Sequence, residues 1–134
     1  MSETHRVLQP GAWPRPSGYS NGIVAKGSTV YLAGQIGWDA TTGRVVEGMA
    51  AQVEQALHNI IAVLAEANVP PTDIVRLTWF VTDMEQYRLE TKAIGKAYRR
   101  VMGRHFPVMS VIGVHCLVER GALVEIEATA VLPT

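Results

Sequence analysis

Apolar and polar positions along this chain follow two periods in turn, and the switches between them divide it into elements. Residues up to about 16 are rich in Pro and Gly and show neither period, which predicts an irregular arm or a short edge element. From Thr29 to Ile36, Val30, Leu32 and Ile36 alternate with Tyr31, Ala33 and Gln35, the period of a strand. Lys26-Gly27-Ser28 before it reads as a turn, so this strand can form a hairpin with Ile23 to Ala25. Between Met49 and Ala67 the step changes to three and four: Met49, Val53, Ala56, Leu57, Ile60, Ile61 and Leu64 predict an amphipathic helix that Asn68 and Pro70-Pro71 stop. Ile74 to Thr82 returns to alternation, with Val75, Leu77, Trp79 and Val81 on one face. A second helical stripe, Tyr87, Thr91, Ile94, Tyr98 and Val101, runs from about Glu85 to Met102, capped by Asp83 and ended by Gly103. Pro107 opens a strand over residues 108–118, and Glu119-Arg120-Gly121 turns the chain into a last strand that completes a hairpin.

The predicted order is β-β-α-β-α-β-β, an α+β layer with both helices on one face of a mixed sheet. Strand 108–118 is apolar on both faces, with Val108, Ile112, Val114 and Cys116 against Met109, Val111 and Leu117. One helix layer covers only one of those faces. The other is therefore expected to pack against copies of itself in a closed oligomer.

The last strand, Leu123 to Val131, carries Glu125 and Glu127 within an apolar run. Strand alternation sends both to one face, while Val124, Ile126, Ala128 and Ala130 form a core face on the other. An unpaired buried carboxylate costs several kcal/mol on an order-of-magnitude estimate, so the pair marks a wet cleft or an interface.

Composition narrows the function classes. At 134 residues with 48% hydrophobic content, the chain fits one domain with a real core. Twelve basic residues balance twelve acidic ones, which leaves no field to draw nucleic acid or anionic lipid. The polar start lacks the apolar segment of a signal peptide, and the most apolar stretch, 108–118, is too short to span a membrane. The single Cys116 excludes an internal disulfide and suits a reducing compartment, so a cytoplasmic location is expected.

Metal and nucleotide motifs are absent, and no cofactor is expected. Among the four histidines, His105 reads as a loop residue and His115 as a strand residue, each with a satisfied hydrogen bond. Cys116 reads as a small core residue. Tyr31, Trp79, Phe80 and Tyr98 fit core or helix stripes. Tyr19 lies in a Gly-Tyr-Ser-Asn-Gly loop where glycines permit close backbone approach, although a lone loop aromatic more often packs than binds. Gly34 marks either a bulge or backbone exposed to a ligand.

Tyr19-Ser20, Ala33-Gly34-Gln35-Ile36, Thr42-Gly43, Gln52 with Gln55, Asp73-Ile74-Val75 leading to Phe80-Val81-Thr82-Asp83, Phe106-Pro107, and Val124-Glu125-Ile126-Glu127-Ala128 together resemble the YjgF/Rid family, also called UK114 or L-PSP. The resemblance runs from about Gly18 to Leu132 and lies in the order and spacing of the motifs. It implies a chorismate-mutase-like α+β fold, a homotrimer around a central β-barrel, and small-molecule clefts between subunits. In the deaminase branch, enamines and imines are hydrolysed to ketones and ammonia. Carried over, Glu125 is the catalytic residue that handles water, and Tyr19, Gly34, Met109, Val111 and Trp38 take substrate-binding positions.

One position departs from that branch. The arginine that clamps the substrate carboxylate, two residues after Phe-Pro, is Met109 here, and an asparagine of helix two falls near Gly95. Three readings follow: a larger and more apolar substrate, a replacement cation such as Arg104 or Arg120, or a cleft that binds without catalysis. Ribonuclease activity, a label attached to the family, is disfavoured by the neutral charge.

Overall fold

The structure, a computed structural model, describes residues 5–133; the first four residues of the predicted arm lie outside them. Its elements are β1 (Arg6–Leu8), β2 (Gly22–Val24), β3 (Ser28–Ile36), α1 (Met49–Ala65), a short 3-10 turn (Pro71–Asp73), β4 (Ile74–Val81), α2 (Met84–Leu89), α3 (Thr91–Met102), β5 (Val108–Gly113) and β6 (Val124–Leu132). β3, β6, β4 and β5 form a mixed sheet in that spatial order, and β1 and β2 form a separate ladder. β6 runs antiparallel to both of its neighbours, while β4 and β5 are parallel. Each parallel relation is bridged by helix: α1 connects β3 to β4, and α2 with α3 connects β4 to β5.

The predicted helical stripe of α1 is its buried face. Met49, Val53, Ala56, Leu57, Ile60 and Leu64 are fully buried. Burying each of the larger ones contributes roughly 1.5–3 kcal/mol, which sets the helix orientation and carries Gln52 and Asn59 inside with them. Both are satisfied there. Gln52 Nε2 donates to the carbonyls of Val46 and Gly121 at 3.0 Å, and its Oε1 accepts from the Leu123 amide at 2.7 Å. Asn59 Nδ2 donates to the carbonyls of Ile36 and Trp38 at 3.1 and 2.9 Å. These two residues tie α1 to the end of β3 and to the entry of β6. Gly37 permits the close approach: a Cβ there would lie 2.6 Å from Gln52 Cα.

Several sequence expectations are corrected. The second helical stripe is two helices, broken at Glu90, where the Thr91 hydroxyl donates back to the Arg88 carbonyl at 3.3 Å and competes with the helical pattern. Asp83 caps α2 as expected, accepting from the Gln86 amide at 3.0 Å. β2 pairs with β1 and not with β3, so the first hairpin does not form. Nor does the last one. β5 stops at Gly113, and β6 lies between β3 and β4, where both edges of its nine residues find partners. His115 and Cys116 therefore fall in a loop, and Cys116 is exposed, not a core residue. Tyr31, expected in a core or helix stripe, is 82% exposed.

The sheet has one covered and one open face. Leu77, Trp79 and Val81 lie opposite Ala128, Ile126 and Val124, all buried, and Met109 and Val111 continue that row on β5. α1 and α3 pack over this side. On the other side Thr78 and Phe80 lie opposite Glu127 and Glu125, and Ser110 and Ile112 extend the row. No described helix is long and apolar enough to cross a membrane.

Candidate functional site

The sequence-predicted site residues fall into two groups on opposite faces of the sheet. Glu125 and Gly34 form the first, on the open face. β3 is irregular between Leu32 and Gln35, and this places Gly34 against the Glu125 side chain: a Cβ at position 34 would lie 2.7 Å from Glu125 Cδ. Of the two readings of Gly34, the bulge is present, and it gives the carboxylate its room. Glu125 is half-buried and forms no hydrogen bond or ion pair with any described residue, which leaves both oxygens free to hold water. Glu127, two residues on, is exposed on the same face.

Tyr19, Met109 and Val111 form the second group, on the helix side. They line a cavity of about 520 Å³ between β4, β5, α2 and α3, closed at its rim by the 17–19 loop. The loop is held to the sheet by Ser20, whose amide donates to the Pro107 carbonyl at 3.1 Å and whose hydroxyl donates to the Phe106 carbonyl at 2.5 Å. Behind Tyr19 the wall is an aromatic stack: Trp79 and Tyr98 have centroids 6.3 Å apart, and Tyr98 and Phe106 are 5.7 Å apart. Tyr98 donates to the His105 carbonyl at 2.5 Å, and burial pushes its hydroxyl pKa well up, as it does for Tyr87. Both phenols stay protonated as donors through neutral pH.

His105 is the loop residue with a satisfied bond that its position suggested. It is buried, and Nε2 donates to the Ile74 carbonyl at 2.7 Å. Trp38 lines neither group; its carbonyl is held by Asn59, and its backbone pairs with Val45. Arg104 lines a separate hollow with Val7 and Thr72, and Arg120 sits in the turn before β6. The arginine that does line the Met109 cavity is Arg99, on α3. Sequence reasoning missed it, because an exposed cation in the last turn of a helix normally reads as a solvated end. Among the described residues, no cluster of three or more His, Cys, Asp or Glu is placed to hold a metal ion.

Residues 13–132 match the sequence profile of the family described as endoribonuclease L-PSP. The chain belongs to the YjgF/Rid (L-PSP) family. Its relatives include the human 2-iminobutanoate/2-iminopropanoate deaminase, 29% identical over 127 residues, covering 94% of this chain and 89% of that one. A RutC family protein of Aquifex aeolicus is 34% identical over 127 residues, covering 94% and 98%. Among solved structures, a Rid-family protein of Yersinia pestis named YyfB superposes with a TM-score of 0.83 at 34% identity, covering 96% of this chain and 99% of the other. The Rid fold is thus that of this α+β sheet and its helices.

Proposed function

We propose that this protein is a Rid-type hydrolase that converts a reactive imine or enamine and water to a ketone and ammonia. Glu125 is its general acid/base. The observation that carries the reading is the free Glu125 carboxylate beside Gly34, with a ligand-sized cavity on the chain's other face. An enamine is first protonated at carbon, which gives the iminium. Glu125 then takes a proton from the water that adds to the iminium carbon, giving a neutral carbinolamine. It returns that proton to nitrogen, and as the C–N bond breaks and ammonia leaves, the hydroxyl proton passes back to Glu125 and the ketone remains. The family membership and the deaminase names of the relatives support the reaction class.

Glu125 and the Met109 cavity sit on opposite faces of one sheet, so one protomer cannot bring them to a single substrate. We propose that they meet between copies, in a homotrimer whose subunits pack through their open faces. The exposed Tyr31 and Ile112 and the half-buried Phe80 on that face suit such packing. Met109 places a thioether where the deaminase branch has its clamping arginine, so a short 2-imino acid loses that hold and a bulkier apolar substrate is favoured.

The test is ammonia release from imines that an amino-acid oxidase generates from alanine and from leucine. The parent should favour the leucine-derived imine, and Glu125→Gln should lower the rate by about a hundredfold or more. Equal rates for parent and variant sink the role of Glu125. Met109 also favours a second reading, in which the trimer binds a metabolite without turning it over. In that case a compound that raises the melting temperature is recovered unchanged.

A further inference from the structure

We infer that Arg99 is the anion-binding group of the Met109 cavity and that the cavity takes a small carboxylate with a bulky apolar tail. The inference deepens the proposed function and rests on its reading of this cavity as the substrate half of the site. Three separate observations support it.

First, Arg99 is a cation with no partner among the described residues. Its neighbour Arg100 is held by Glu54, with Nε 2.7 Å from the carboxylate, and Arg88 is held by Glu85. Arg99 lines the cavity and makes no ion pair with any described residue. A guanidinium carries five donors in a planar fork matched to a carboxylate, so a carboxylate ligand supplies the partner it lacks.

Second, the Arg99 guanidinium lies beside Gly95 on the cavity wall. Residues 95 and 99 are one turn apart on α3, and a Cβ at Gly95 would meet Arg99 Nη1 at 3.5 Å, an ordinary van der Waals contact. A side chain longer than alanine's at 95 would compete with the guanidinium for that space.

Third, the wall away from Arg99 has a large apolar part, made by Met109, Val111, Ile94 and Phe106. A charged head at Arg99 thus leaves an apolar tail to lie against the β5 side, which reverses the polarity expected if the cation stood at position 109.

The experiment is titration calorimetry with 4-methyl-2-oxopentanoate, a stable carbonyl analogue, and with its neutral amide. The parent should bind the carboxylate about tenfold or more tightly than the amide, with the preference shrinking as ionic strength rises. Arg99→Gln should abolish that preference while leaving amide binding and the melting temperature unchanged, and Arg99→Lys should restore part of it. Arg76→Gln, which removes an exposed cation near Met109 on the open face, should behave as the parent. An Arg99→Gln protein that keeps the preference, an Arg76→Gln protein that loses it, or a parent that fails to bind the carboxylate overturns the inference. Ammonia release by Glu125→Gln tests the proposed chemistry and the carboxylate-over-amide preference of Arg99→Gln tests the anion clamp, so failure of one and failure of the other are read separately.

Discussion

Gly34 and Glu125 illustrate how one missing side chain sets the place of a reactive group. The Glu125 side chain, from Cγ to the carboxylate, stands where a Cβ at position 34 would go. No backbone atom is among those contacts and a glutamate side chain can turn away, so Gly34→Ala should change stability by no more than about 1 kcal/mol. The proposed water-handling group would nevertheless be displaced, and misplacement by about an ångström costs on the order of a hundredfold in rate. Melting curves and initial rates measured together check this, and a Gly34→Ala protein with the parent's rate would show that the contact does not position Glu125. Met109 and Arg99 exemplify a different point at this scale. The loss of a cation at position 109 is plain in the sequence, but the gain of one at 99 is not, because only the fold tells which helix face borders the cavity.

At the scale of elements, the loop between α3 and β5 is fastened by His105. Its Nε2–H donates to the Ile74 carbonyl at the start of β4, and its carbonyl accepts from Tyr98. Burial pushes the His105 pKa below its ordinary 6.5, outweighing the raising effect of the Ile74 bond; His5 nearby lowers it further and Asp73 raises it. The folded state therefore prefers the neutral ring. Its contribution to stability is complete above pH 6.5 and is lost as pH falls from 6.5 through the depressed folded value. The melting temperature of the parent should drop over that window more steeply than that of His105→Asn. Parallel curves would show that another group carries the pH dependence. Elements of this kind were legible in part. The α1 stripe and the Asp83 cap are local patterns, and they appear where the periodicity puts them. The strand order is not local: β5 and β6 are neighbours in sequence and apolar enough to pair, yet parallel pairing of β4 with β5 and the insertion of β6 between β3 and β4 leave them apart. For the same reason, the sequence marked Tyr19, Gly34, Met109, Val111 and Glu125 but could not say that the sheet separates them.

That separation has a consequence for the whole molecule. If the reacting centre is assembled from the cavity of one subunit and the Glu125 of another, a defect in either half disables a site only when it lies in the subunit that supplies that half. Two inactive proteins can then rescue each other. Glu125→Gln keeps the cavity, and Met109→Trp, which fills the cavity, keeps the carboxylate on the opposite face. When the two are unfolded and refolded together in equal amounts, a given site draws an intact cavity half the time and an intact Glu125 half the time. About a quarter of the parent activity should return, whatever the number of subunits in the ring. Refolding either variant alone should return none. A mixture as inactive as its components, with mixed oligomers verified by mass, would place the whole reaction within one protomer and rule out the shared site.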